Sequence, residues 1–135
     1  MVGIILITHG TLGESLIQCA THVLSSHPLR VLHVAVNRDE APEQVQARAL
    51  DCIRQVDAGR GVLLLTDMLG ATPSNIATRL LAPGRIEAVA GVSLPMLIRA
   101  ITYREQPLAT VVRKAVSGGT DGVVHIQTER IHAAG

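Results

Sequence analysis

The chain has 135 residues, a formal net charge of +1 and 47% hydrophobic residues, which fits one domain whose core is completed without metals or disulfides. One Tyr and no Phe or Trp leave no aromatic platform for stacking bases, and singly scattered Lys and Arg form no basic stripe, so nucleic acid is not an expected partner. The apolar start Val2 to Ile7 lacks a cationic leader and no run approaches the ~18 residues of a spanning helix, so no direct membrane insertion is expected and a cytoplasmic, reducing compartment is.

In chain order, Gly3 to Thr8 reads as a strand, followed at once by His9-Gly10. Leu12, Leu16, Ala20, Val23 and Leu24 then recur at helical spacing and predict a helix from Thr11 to Ser25. A second strand, Arg30 to Val36, precedes a helix from Ala41 to Val56. That helix carries the stripe Val45, Ala49, Cys52, Ile53 and Val56, with Pro42 in its first turn. Cys19 and Cys52 fall inside these two helices without CxxC or paired-His spacing, and read as buried structural thiols.

The third strand, Gly61 to Thr66, ends in Asp67 and the loop Met68-Leu69-Gly70-Ala71. Pro73 suits the first turn of a helix to about Leu81, which makes Thr72 its N-cap. After a fourth strand, Ile86 to Val92, Pro95 opens a helix through Ile101, and Pro107 to Ser117 supplies another. Gly118-Gly119-Thr120-Asp121-Gly122 is read as a turn into a last strand, Val123 to Gln127, antiparallel and peripheral. The domain is thus expected over residues 1–127, with a flexible tail over 128–135.

Strands alternating with helices predict an α/β fold: a doubly wound, mainly parallel sheet of order 2-1-3-4 with helices on both faces, the first four strands buried. In such sheets ligands sit beyond the carboxyl ends of the strands, where the strand order reverses. His9 follows the first strand and Asp67 the third, so the two should meet at one rim. A carboxylate accepting the proton of one imidazole nitrogen fixes the tautomer and leaves the other nitrogen as an electron-pair donor, able to form a covalent intermediate. Each residue also has a plainer use: His9 can bond a loop, Asp67 can cap a turn, and Thr72 can cap a helix. The helix start at Thr72 adds free amides and a positive dipole end, for which phosphate is the natural guest.

Competing chemistries lack their parts. His9-Gly10-Thr11-Leu12-Gly13 is not GxGxxG, and GxxxxGK[ST] does not occur, so no nucleotide cofactor is indicated. His22 and His27 are not at helical pairing distance and His33 stands alone, so no metal site is expected; His125 and His132 read as surface residues.

Three segments, Thr8-His9-Gly10, Asp67-Met68-Leu69-Gly70-Ala71-Thr72-Pro73-Ser74-Asn75 and Gly91-Val92-Ser93-Leu94-Pro95-Met96-Leu97, together resemble the mannose-family enzyme IIA domain of the bacterial phosphotransferase system, over about Val2 to Ile126. The resemblance implies that His9 is the phosphoacceptor, charged by the phosphocarrier HPr and discharged to a IIB partner or used as a regulatory signal. It implies that Asp67 bonds this histidine and that Thr72, with Gly70 and Ala71 beside it, contacts the phosphoryl oxygens, with no cofactor. It further implies a homodimer in which Val123 to Gln127 crosses to the other subunit. The chain departs from the family at Met68-Leu69, where an aromatic is frequent, at Ala71 for a usual Gly, at Thr72 for the commoner Ser, and at Ser74 for a large apolar residue. These departures bear on partner identity more than on chemistry.

Two other readings stay open at the level of sequence. One is the related phosphoryl donor subunit of a dihydroxyacetone kinase, which that kinase would identify. The other is a tetrapyrrole metal chelatase, which also has a His-Gly turn after its first strand but would leave the Thr72-Pro73 helix start without a use.

Overall fold

Seven residues, Gly3–His9, form β1, which is buried along nearly its whole length because helices cover both of its faces. The computed structural model describes residues 1–128. In it β1 is flanked by β2 (Val31–Val36) and β3 (Val62–Thr66), and β4 (Ile86–Ala90) lies outside β3; all pairings are parallel, in the expected order β2-β1-β3-β4. The side-chain alternation of a strand sends Ile4, Leu6, Leu63 and Leu65 into one layer with α1 (Leu12–Leu24), α4 (Leu94–Tyr103) and α5 (Leu108–Asp121). Ile5, Ile7, Val62 and Leu64 fill the opposite layer with α2 (Pro42–Val56) and α3 (Thr72–Leu80). Unbroken apolar runs are therefore what the two central strands need.

β4 departs from the expected buried strand, being half-buried along its length, because it is the last strand of the sheet and one flank is uncovered. The buried face of α1 is also rotated from the predicted stripe: Gly13, Ile17 and Ala20 are buried, whereas Leu12 and Val23 are exposed. Gly13 sets this orientation, since a Cβ there would stand 2.9 Å from Thr8 Oγ1 and 3.2 Å from Leu6 Cβ. The helix thus seats on the sheet through its smallest residue. Cys19 is consequently exposed, contrary to the expected buried thiol, while Cys52 is half-buried against the α2 layer, where burial pushes its thiol up.

Two of the glycines read as a turn after Ser117, Gly118 and Gly119, lie instead within α5, which continues to Asp121 with Gly122 as its C-cap. They are there for close packing on α4: a Cβ at Gly118 would meet Arg99 Cβ at 2.9 Å, and one at Gly119 would meet Met96 Cε at 2.7 Å. Arg99 fastens the extension by bonding Ser117 Oγ and Asp121. The antiparallel strand expected over Val123 to Gln127 does not form within the chain; these residues pair with no strand of the sheet, and Val123, Val124 and Ile126 are exposed. A segment gains ladder hydrogen bonds only from an edge it can reach, and within the described residues this one reaches none. The expected tail beyond Thr128 lies outside the described residues.

Candidate functional site

Register places the first two groups. Gly3 N–H donates to Gly61 O on the β3 side, and Gly10 N–H to Val36 O on the β2 side, so odd-numbered amides of β1 face β3. The β1–β3 pairing ends at Ile7–Thr66, which leaves the next amide on that side, that of His9, without a carbonyl. The Asp67 carboxylate replaces it: His9 N–H donates to Asp67 Oδ2 at 2.9 Å. The His9 ring returns to the same oxygen, with Nδ1 at 2.8 Å. Asp67 therefore closes the ladder and orients the imidazole with one atom; the amide it holds belongs to a neighbouring strand and not to a turn of its own.

With an ionised carboxylate on Nδ1, that nitrogen carries the proton and Nε2 keeps its lone pair. The His9 side chain is 53% exposed and that of Asp67 10%, so the acid is sheltered and the imidazole edge is accessible. Burial pushes the Asp67 carboxyl up, but the hydrogen bonds from the His9 amide and ring outweigh it and hold it below the usual carboxylate value. Asp67 Oδ1 is buried with no hydrogen bond among the described residues, so the whole engagement of this acid runs through Oδ2.

Gly10 turns the chain out of β1 in the left-handed region, φ 51°, where a side chain would be strained. The turn is pinned from beneath by buried Thr8, whose Oγ1 accepts the Gly13 N–H at 2.8 Å.

The loop after Asp67 differs from expectation at the helix start. Thr72 is not the N-cap: α3 begins at Thr72, and Ala71 is the extended capping residue, making no side-chain cap. Ser74 does the work of closure, its Oγ accepting the Gly70 N–H at 2.9 Å and donating to Ala71 O at 2.9 Å. The amide of Ala71 is likewise turned inward, to Met68 O at 3.4 Å. Gly70 and Ala71, expected beside Thr72 as phosphate contacts, spend their amides on shaping the loop. Thr72 is freed by the shift, since neither its amide nor its hydroxyl makes a hydrogen bond among the described residues.

His9, Gly10 and Thr72 line one open cleft of about 480 Å³. Its remaining wall comes from the β2–α2 connection, including Asn37, Arg38 and Glu40, which the sequence reading passed over. The signal was available in the topology, because the loop following β2 opens at the same rim as the end of β1. His22, His27, His33 and His125 stay outside this cleft, and among the described residues no group of three or more His, Cys, Asp or Glu is placed to hold a metal. Among the described residues no helix is long and apolar enough to cross a membrane.

Comparison with known proteins gives the same pattern a context. The model of the EIIA-man family, described as "PTS system fructose IIA component", matches residues 3–117. The "PTS system mannose-specific EIIAB component" of Escherichia coli (strain K12) is 27% identical over 136 residues, covering 98% of this chain and 42% of that protein, so the chain spans well under half of that relative's length. The "PTS system fructose-specific EIIA component" of Bacillus subtilis (strain 168) is 26% identical over 106 residues, 78% of this chain and 72% of the relative. Among solved structures, the mannose/sorbose specific IIA subunit from Enterococcus faecalis superposes with a TM-score of 0.83 at 22% identity, covering 93% of this chain and 95% of that one. The phosphotransferase system component EIIA from Streptococcus agalactiae gives a TM-score of 0.82 at 22% identity, covering 93% and 97%. At this identity the two structures speak for the fold.

Proposed function

The chain belongs to the EIIA-man family of phosphotransferase-system IIA components, and from that premise we propose that it is a phosphoryl carrier whose acceptor atom is Nε2 of His9. The observation that carries the reading is the pair of hydrogen bonds from His9 to Asp67 Oδ2, which leaves Nε2 as the unoccupied nitrogen of an accessible ring beside Thr72.

In the proposed step the Nε2 lone pair attacks phosphorus of the donor phosphohistidine in line. The new N–P bond forms as the donor's N–P bond breaks, and the departing electron pair stays on the donor imidazole. His9 becomes a phospho-imidazolium that keeps its Nδ1 proton, and the Asp67 carboxylate opposite that proton stabilises the positive ring. Thr72, through its amide and hydroxyl at the start of α3, takes the equatorial oxygens, while Gly70 and Ala71 hold the loop in shape. Because little covalent work falls to the protein, positioning and charge supply most of the catalysis.

The donor in this reading is phospho-HPr, and the acceptor is a separate IIB protein or a regulatory target. A homodimer is proposed with it, in which residues 123–127 find in a second copy the strand partner they lack in their own.

Incubation with enzyme I, HPr and phosphoenolpyruvate, read by intact mass, tests the carrier role. A gain of one phosphoryl group that vanishes in His9→Ala is expected; an unchanged mass, or a gain that survives His9→Ala, overturns it. Capture of partners with the phosphoryl mimic His9→Asp against wild type then separates a IIB acceptor from a regulatory one.

A further inference from the structure

The β2–α2 connection is built around a neutralised acid. Both terminal Arg48 guanidinium nitrogens, Nη1 and Nη2, donate to the Glu40 carboxylate, and Asn37 donates to Glu40 Oε1 from its backbone at 3.1 Å and its side chain at 3.0 Å. Arg48 also reaches Ala35 O at 2.6 Å, which ties the loop to the end of β2. Within this frame Arg38 lines the cleft with His9 and Thr72, and among the described residues it pairs with no carboxylate.

The charge balance of the cleft gives that residue a task. Asp67 is committed to His9 and Glu40 to Arg48, so the cation left over in the wall is Arg38. A phosphoryl group on Nε2 would bring up to two negative charges into a cleft lined by the Glu40 carboxylate, with Asp67 behind the His9 ring, and like charges at short range are costly. A guanidinium presents a planar fork matched to phosphoryl oxygens, which makes it the side chain best suited to offset them.

We propose that Arg38 binds the phosphoryl oxygens of phosphorylated His9, acting as the cation of the site from a loop whose shape the Glu40–Arg48 pair maintains. The inference rests on the phosphohistidine reading above and adds to it a second group of the same cleft, from the β2–α2 connection.

Phosphoramidate, a donor too small to dock as a protein, isolates this contact. His9 Nε2 attacks its phosphorus, the new N–P bond replaces the donor's, and the electron pair of the broken bond leaves on ammonia. Wild type, Arg38→Ala and Arg38→Lys are charged with phosphoramidate and, in parallel, with phospho-HPr, and the phosphorus resonance of each product is titrated with pH. A bound cation favours the more ionised phosphoryl group, so its titration midpoint is expected lower in wild type than in Arg38→Ala, with Arg38→Lys between them. The phosphoramidate rate should fall about tenfold in Arg38→Ala, the scale of one charge-assisted hydrogen bond. Equal midpoints in wild type and Arg38→Ala overturn the proposal, including where only the phospho-HPr rate falls, which would assign Arg38 to partner docking. Wild type that gains no phosphoryl group from either donor overturns instead the carrier reading beneath it.

Discussion

The backbone amide and the ring Nδ1 of His9 converge on a single oxygen, Asp67 Oδ2, at 2.9 and 2.8 Å. One atom thereby fixes where the strand ends and which way the imidazole faces. Fold and chemistry are coupled at this point, because the carboxylate that finishes the β1–β3 ladder is the one that leaves Nε2 to the cleft.

Asp67→Asn is expected to slow phosphorylation of His9 by on the order of 100-fold or more while preserving the fold. An amide oxygen can still accept both N–H groups but lacks the charge to hold the Nδ1 proton against the alternative tautomer. Single-turnover transfer from phospho-HPr checks the rate and imidazole nitrogen shifts check the tautomer; a wild-type rate removes the orienting role.

The same acid should make stability depend on pH. Its carboxyl lies below the usual carboxylate value despite burial, because the His9 amide and ring outweigh desolvation. A depressed folded value means that its contribution is fully present above the unfolded value of about 3.9 and is lost as pH falls through the folded one. Urea unfolding of wild type and Asp67→Asn should therefore differ most near neutrality and converge in acid. A gap that is constant with pH would show that charge on Asp67 is not what stabilises the fold.

Thr8→Val keeps the shape of a buried side chain but removes the oxygen that accepts the Gly13 N–H at 2.8 Å. Leaving that amide without a partner should cost about 1–3 kcal/mol, read from the urea midpoint. A change under about 0.5 kcal/mol, the range of ordinary surface substitutions, would mean that the Gly13–Thr8 bond does not fasten α1 to the sheet.

The exposed run Val123, Val124 and Ile126 has no strand partner among the described residues, and the dimer reading gives it one. Light scattering behind size exclusion is expected to give twice the chain mass, and truncation after Gly122 to return a monomer. A wild-type monomer at micromolar concentration removes the dimer from the proposed function.

Much of this was legible in the chain itself. The apolar runs Ile4 to Ile7 and Val62 to Leu65 read as central strands of a sheet covered on both faces, and the alternation with helices made that sheet parallel, as observed. Parallel strands then bring His9 and Asp67 to a common rim by direction alone.

What periodicity misjudged were positions where two elements touch. Gly13 rotates α1 on the sheet, and Gly118 and Gly119 continue α5 because α4 lies against them; composition alone reads such glycines as spacing or turns. Ser74 closes the loop and moves the helix start to Thr72, freeing a hydroxyl that local pattern assigned to capping.

The residues of the chain by themselves determined which segments are buried and at which end of the sheet the reactive groups gather, since both follow from hydrophobic spacing and strand direction. Only the tertiary structure decided that Nδ1 is the nitrogen taken, that the amides of Gly70 and Ala71 face inward, and that Arg38 lines the same cleft as His9. Those outcomes depend on contacts between distant segments, where a shift of one hydrogen bond redirects a side chain without altering any local pattern.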